Sequence, residues 1–244
     1  VGERAGTADP KMMIETAILL AAGEGSRLRP AAPFKPLCPV AGRPLIAHAI
    51  HGLAAAGMSR AIVVLGYGAD EVEAYLRAGP WPIFVEMMRV DDYRKPNGSS
   101  LLAAEPLLKR DEQTLLAMCD HLVDPALYRR LADAGAGRGA RLGIDRRLGH
   151  PWVDPEDVTC VQTDGDAIVA IGKGLEPHDC YDTGVFAIGQ PLFDALHMLD
   201  APSLTEGMRI LAAQGRAQVV DCSDLDWLDV DDAAALARAE AWKA

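Results

Sequence analysis

Apolar residues fill positions 18–22 without alternation (Ile18-Leu19-Leu20-Ala21-Ala22), as in a strand covered on both faces. Gly23 and Gly25 follow at once. Pro44 then opens a helix whose apolar stripe runs through Leu45, Ile46, Ala49, Ile50 and Leu53 and which stops at Gly57. A second strand over 61–65, a helix over 69–78 and a third strand over 83–87 continue the β-α-β-α rhythm of a doubly wound sheet. The polar run 91–100 opens on a helix over 101–108, with Ser99 or Ser100 as its N-cap. Residues 114–119 form another buried strand, and Asp124 caps a helix from Pro125.

Beyond residue 140 the pattern turns β-rich. Strands at 141–145, 160–163, 167–171 and 181–188 include a hairpin about Asp164-Gly165-Asp166. Helices over 191–199 and 203–213, a strand at 217–220 and a last helix over 233–242, capped by Asp231 or Asp232, complete the chain. The expectation is an α/β chain: a three-layer, Rossmann-like fold with a mostly parallel central sheet and a small β-rich insertion. Residues 1–13 read as a flexible tail and 14–244 as one domain.

Composition narrows the partners. Among 244 residues half are hydrophobic, only 5% aromatic, and the formal net charge is −11, which argues against nucleic acid or an anionic membrane surface. The five cysteines are scattered with no C-x-x-C pair, so neither zinc nor a disulfide framework is expected, and a cytoplasmic setting follows. No apolar run is long enough to insert in a membrane.

Chemistry concentrates after the first strand. Gly23 and Gly25 let the backbone turn and present bare N–H groups to an anion, and Arg27 and Lys35 add positive charge beside them. That is a triphosphate cradle. The G-x-x-x-x-G-K-[ST] loop is absent, and the dinucleotide fingerprint fails at Leu28. Asp120 ends a central strand, where open α/β sheets bind ligands. It is a first candidate for a Mg²⁺ ligand. Asp229 and Asp231, two apart in an extended run, share a face and suit the same ion. Asn97, Gly98 and Ser99 divide evenly between a capping loop and a nucleotide contact. His48 and His51, three apart with no third donor, read as surface or packing residues.

The run L-x-A-G-x-G-x-R-L with Lys35-Pro36-Leu37 resembles the signature of the sugar-nucleotide and related nucleotidyltransferases. Three later runs look like the inositol-1-phosphate cytidylyltransferases within that superfamily: Asn97 to Leu102, Ile171-Gly172-Lys173 with Tyr181-Asp182-Thr183-Gly184, and Trp227 to Asp231. Met118-Cys119-Asp120-His121 is similar to that group's metal-bearing strand end.

The resemblance implies that Leu20, Ala21, Ala22, Gly23, Glu24, Gly25 and Ser26 wrap a triphosphate. Arg27 would hold its outer phosphates and Lys35 the α-phosphate, with Asn97, Gly98 and Ser99 near cytosine and ribose. Asp120 and Asp229 or Asp231 would hold Mg²⁺, Asp120 facing the acceptor as well. Lys173 would neutralise the acceptor phosphate, beside Asp182, Thr183 and Gly184. CTP and inositol 1-phosphate are the implied substrates, CDP-inositol and pyrophosphate the products, with functional coupling to a membrane CDP-alcohol phosphotransferase. Sister enzymes act on sugar phosphates, phosphocholine or aminophosphonates, so the near alternative is nucleotidyl transfer to another such acceptor, or from UTP or GTP. A nucleotide-binding regulatory module without turnover is the alternative of another class. The presence of Arg27, Lys35, Asp120, Asp229 and Asp231 weighs against it.

Overall fold

A computed structural model describes residues 14–243; the expected tail, 1–13, lies outside the described residues. Strand β1 (Thr16–Ala21) is buried along its whole length. Ala17, Leu19 and Ala21 enter the core on one face of the sheet, and Ile18 and Leu20 enter the core on the other. That two-sided burial is why its sequence does not alternate.

A short ribbon, β2 (Pro39–Val40) and β3 (Arg43–Pro44), leads into α1 (Leu45–Ala55), followed by β4 (Arg60–Leu65), α2 (Ala69–Ala78) and β5 (Phe84–Arg89). Then come α3 (Asn97–Ala104), β6 (Thr114–Met118), β7 (His121–Val123) and α4 (Pro125–Ala134). The middle of the chain supplies β8 (Ala140–Asp145), β9 (Thr159–Asp164), β10 (Ala167–Lys173) and β11 (Cys180–Ile188). Helices α5 (Gln190–His197) and α6 (Leu204–Ala213), strands β12 (Ala217–Asp221) and β13 (Trp227–Asp229), and α7 (Ala233–Lys243) complete it.

The main sheet has nine strands in the order β5-β4-β1-β6-β11-β8-β12-β10-β9. Its first four strands are parallel, as the βαβ rhythm requires. Strand β11 then runs antiparallel to both β6 and β8, so the sheet is mixed. The β-rich middle is continuous with this sheet, and β9 bonds back to the start of β11. Helices α1, α2 and α4 pack on one face, and α3, α5 and α6 on the other. A third cluster, with Leu28, Val40, Leu45, Leu122, Leu228 and Ala235, sits beneath the loops and α7.

One expected boundary moves. Helix α3 begins at Asn97, after Pro96, so Ser99 and Ser100 lie inside it and neither is its N-cap. Asn-Gly-Ser-Ser is a poor helix former. Tertiary contact holds it instead: the Asn97 side chain accepts the Leu204 N–H at 2.9 Å, and Gly98 lies so close to the α5–α6 connection that a Cβ would stand 2.7 Å from the Pro202 carbonyl oxygen.

Asp124 caps α4 as expected, accepting the Ala126 N–H at 2.8 Å. Asp124→Ala removes that acceptor and should lower the unfolding free energy by about 1 kcal/mol in a urea titration. An unchanged midpoint would show that the cap is not holding α4.

Candidate active site

The carboxyl ends of β1 and β6 lie side by side, joined by the Cys119 N–H to the Leu20 carbonyl at 3.0 Å. The glycine loop after β1 and Asp120 after β6 therefore open at one place. Asp182 and Gly184 reach it from the antiparallel β11, and the ribbon β7–β13 pairs Asp229 with His121. The Val230 N–H to the Asp120 carbonyl (3.0 Å) locks that ribbon.

Lys35 is the centre. Its side chain is only 8% exposed, and its Nζ stands 2.6 Å from Asp120 Oδ2, in contact with Asp231 Oδ1 and 4.0 Å from Asp229 Oδ1. Burial alone would lower its pKa; the attraction of Asp120 and Asp229 raises it instead. Asp120, which burial would push up, is held below the usual range by Lys35 and His121. The stem of Lys35 passes over Gly25, whose φ is +57° and where a Cβ would stand 2.4 Å from that of Lys35. This is why a glycine is needed there.

His121 was not assigned a role from the sequence. Its Nδ1 lies 2.9 Å from the Thr183 carbonyl, and its Nε2 lies 3.5 Å from Asp229 and 4.0 Å from Asp120. Burial works against its charge, but Asp229 and then Asp120 carry its pKa up to about 9. The ring stacks on Trp227, whose indole N–H bonds buried Asp145 at 2.8 Å.

A cavity of about 660 Å³ opens above these groups. Of the candidates named from the sequence, Leu20, Ala22, Gly23, Arg27, Asn97, Asp120, Lys173, Asp182, Gly184, Asp229 and Asp231 line it. Others stand apart from its lining. The Thr183 hydroxyl is buried and donates to the Gly143 carbonyl at 2.8 Å, Glu24 pairs with Arg29, and Gly98 packs against Pro202.

Asp157 is a second residue that the sequence left unassigned. It bonds both Arg27, at 2.5 Å, and Lys173, and these hydrogen bonds, Lys173's first, depress its pKa to about 2. Arg27 is 53% exposed and Lys173 62%, so these pairs add little stability and open at little cost. The acidic turn Asp154-Pro155-Glu156-Asp157 was the signal available. Arg238 on α7 also lines the cavity, and helical spacing alone did not mark it.

Carboxylates converge here as a metal site requires. Oxygen atoms of Asp157, Asp229 and Asp231 lie within 4.8 Å of one another, as do ligand atoms of Asp120, His121 and Asp229. Asp229 Oδ1 is buried with no hydrogen-bond donor. Hard oxygen ligands with one orphaned lone-pair set fit a Mg²⁺-like ion.

The model of the MobA-like NTP transferase domain matches residues 17–217. The chain belongs to that family. The transferase is 32% identical over 220 residues, 88% of the chain, to the bifunctional IPC transferase and DIPP synthase of Rubrobacter xylanophilus. It is 31% identical over 90% of the chain to the protein of the same name from Aquifex aeolicus. It spans about half (49%) of the length of each. The inositol-1-phosphate CTP transferase of T. maritima shares the fold at a TM-score of 0.82, with 23% identity and 92% of both chains covered. The transferase is thus a nucleotidyltransferase, and no helix among its described residues is long and apolar enough to cross a membrane.

Two variants test this geometry. Gly184 has φ +78°, and a Cβ there would lie 2.3 Å from His121 Nδ1. Gly184→Ala should displace the imidazole and cut turnover at least tenfold with an unchanged far-ultraviolet spectrum; full activity would free His121 from any role. Burial raises the Asp182 carboxyl to about 6, against roughly 3.9 in an unfolded chain. Between those values the folded form alone keeps the proton, so stability is full below about pH 4 and falls as pH rises through 6. The Tm of Asp182→Asn should therefore gain on wild type from pH 4 to 7, and a constant difference would contradict it.

Proposed function

We propose that the transferase joins CTP to inositol 1-phosphate, releasing pyrophosphate and forming CDP-inositol. The observation that carries this is the convergence of Asp120, Asp229 and Asp231 on Lys35 beside the glycine loop, at the mouth of a cavity with room for a nucleotide and an acceptor. The acceptor identity is supported by the names of the relatives and by the Lys173, Asp182 and Gly184 wall.

In this reading the backbone from Ala21 to Ser26 cradles the triphosphate, and Arg27 exchanges Asp157 and Asp231 for its outer phosphates. Lys173 likewise leaves Asp157 for the acceptor phosphate. Asn97 and Ser100 line the side of the cavity where the nucleoside lies, with Tyr93 and Lys95 beyond them. An oxygen of the acceptor phosphate attacks the α-phosphorus in line. A new P–O bond forms while the bond from the α-phosphorus to the bridging oxygen breaks, and its electron pair leaves with pyrophosphate. The attacking phosphate is ionised at neutral pH, so no proton has to be removed. Positioning and charge neutralisation supply the rate.

Lys35 neutralises charge at the α-phosphate. Asp120 with Asp229 or Asp231 would hold Mg²⁺, which when bound withdraws charge from the phosphate oxygens.

The test is pyrophosphate release with Mg²⁺, crossing CTP, UTP, GTP and ATP with inositol 1-phosphate, phosphocholine, glucose 1-phosphate and 2-aminoethylphosphonate. Turnover should be confined to CTP with inositol 1-phosphate. Turnover only with another pair would reassign the acceptor wall or the base pocket, and none with any pair would overturn the proposal. Asp120→Asn should remove at least 99% of the turnover while leaving CTP binding within a few-fold, and near-full activity would remove Asp120 from the metal site. Lys35→Ala should likewise slow transfer; an unchanged rate would displace Lys35 from the α-phosphate.

A further inference from the structure

His48 and His51 take no part in the site above. One turn apart on α1, they share a face. With Arg43 of β3 and Lys243 at the end of α7, they line a second cavity of about 430 Å³. Its wall includes the buried ring of Tyr128, and His121 borders both this cavity and the first.

What sets this cavity apart is its charge. No aspartate or glutamate among the described residues lines it, in a chain of net charge −11. Of its five basic groups, His121 faces Asp229 and Asp120, while Arg43, His48, His51 and Lys243 form no ion pair among the described residues. The carboxylates that reach Lys243 are otherwise engaged: Asp124 caps α4, and Asp226 pairs with Arg147. Glu240 accepts the Ala41 N–H at the β2–β3 turn. His48 Nε2 contacts the Val40 carbonyl at 2.9 Å, which leaves its Nδ1 open. Burial, then the like charge of Arg43, Lys243 and His51, holds His48 below the ordinary histidine range, and burial lowers Lys243 as well. Basic groups gathered in a recess whose own lining carries no acid are offset most directly by an anion that enters it.

We propose that this second cavity is a binding site for the phosphate dianion of a small metabolite. Its size falls in the range of small-molecule pockets, roughly 300–1,000 Å³. A wall formed by a ring as deeply buried as that of Tyr128 suits a free phosphate compound and not the flat surface of a bilayer. An anion held here adds negative charge close to His121, which borders both cavities. The site is distinct from that of the acceptor proposed above, since Arg43, His48, His51 and Lys243 all lie outside the first cavity's lining.

The test is an NMR titration of the full chain with inorganic phosphate, following the assigned imidazole signals of each histidine. Phosphate should shift His48 and His51 saturably and raise both pKa values. In the double variant Arg43→Ser, Lys243→Ser, which alters one exposed and one half-buried group, the dissociation constant read at these signals should rise at least tenfold. Any response of His121 to phosphate in the first cavity should remain. Arg43→Lys should keep the wild-type affinity. Signals of His48 and His51 that stay still in wild type, or move equally in the double variant, would overturn the proposal.

Discussion

A buried lysine among three carboxylates is the constraint on which this molecule turns. An ammonium as enclosed as that of Lys35 persists only where opposite charge surrounds it. The chain meets that demand with groups remote in sequence: Asp120 beyond β6, and Asp229 and Asp231 at and beyond β13. Their convergence fixes the β7–β13 ribbon against the parallel strands and requires Gly25 to let the lysine stem pass. Removing Lys35 would leave three acids facing one another; removing the acids would leave a buried cation alone.

Around that rigid centre the other charged groups are looser, and the difference matters for function. Arg27 and Lys173 are more than half exposed and share the carboxylate of Asp157. Such pairs cost little to break, so they can open without disturbing the fold. The fold contributes the frame. Parallel β1 and β6 end together, and the antiparallel β11 returns along β6 to deliver Asp182 and Gly184 to the same edge. A purely parallel sheet would have carried that third wall away to its other end.

Much of this was legible in the chain because local chemistry and tertiary role agree. Two-sided burial gives the unalternating 18–22 run, and Asp124 and Asp232 stand where caps are needed. Asp229 and Asp231 share a face as their spacing requires. The misplaced start of α3 arose where a weak helix former is held by partners some hundred residues away, at Leu204 and Pro202. His121 and Asp157 escaped for a related reason: each acts through a partner across the fold, Thr183 and Asp229 for one, Arg27 and Lys173 for the other. The acidic turn around Asp157 marks a charged loop, but single-sequence spacing does not name the partners it meets.

The central claim is that Lys35 holds, in the free protein, the negative charge that a divalent ion shares when nucleotide draws the lysine to phosphate. Mn²⁺ binding followed by electron paramagnetic resonance, in wild type and in Lys35→Met, addresses it most directly. The account predicts weak binding to the free wild type, tightened by CTP, and binding to free Lys35→Met at least tenfold stronger than to wild type with little further gain from CTP. Equal Mn²⁺ affinity in the two free proteins would contradict it.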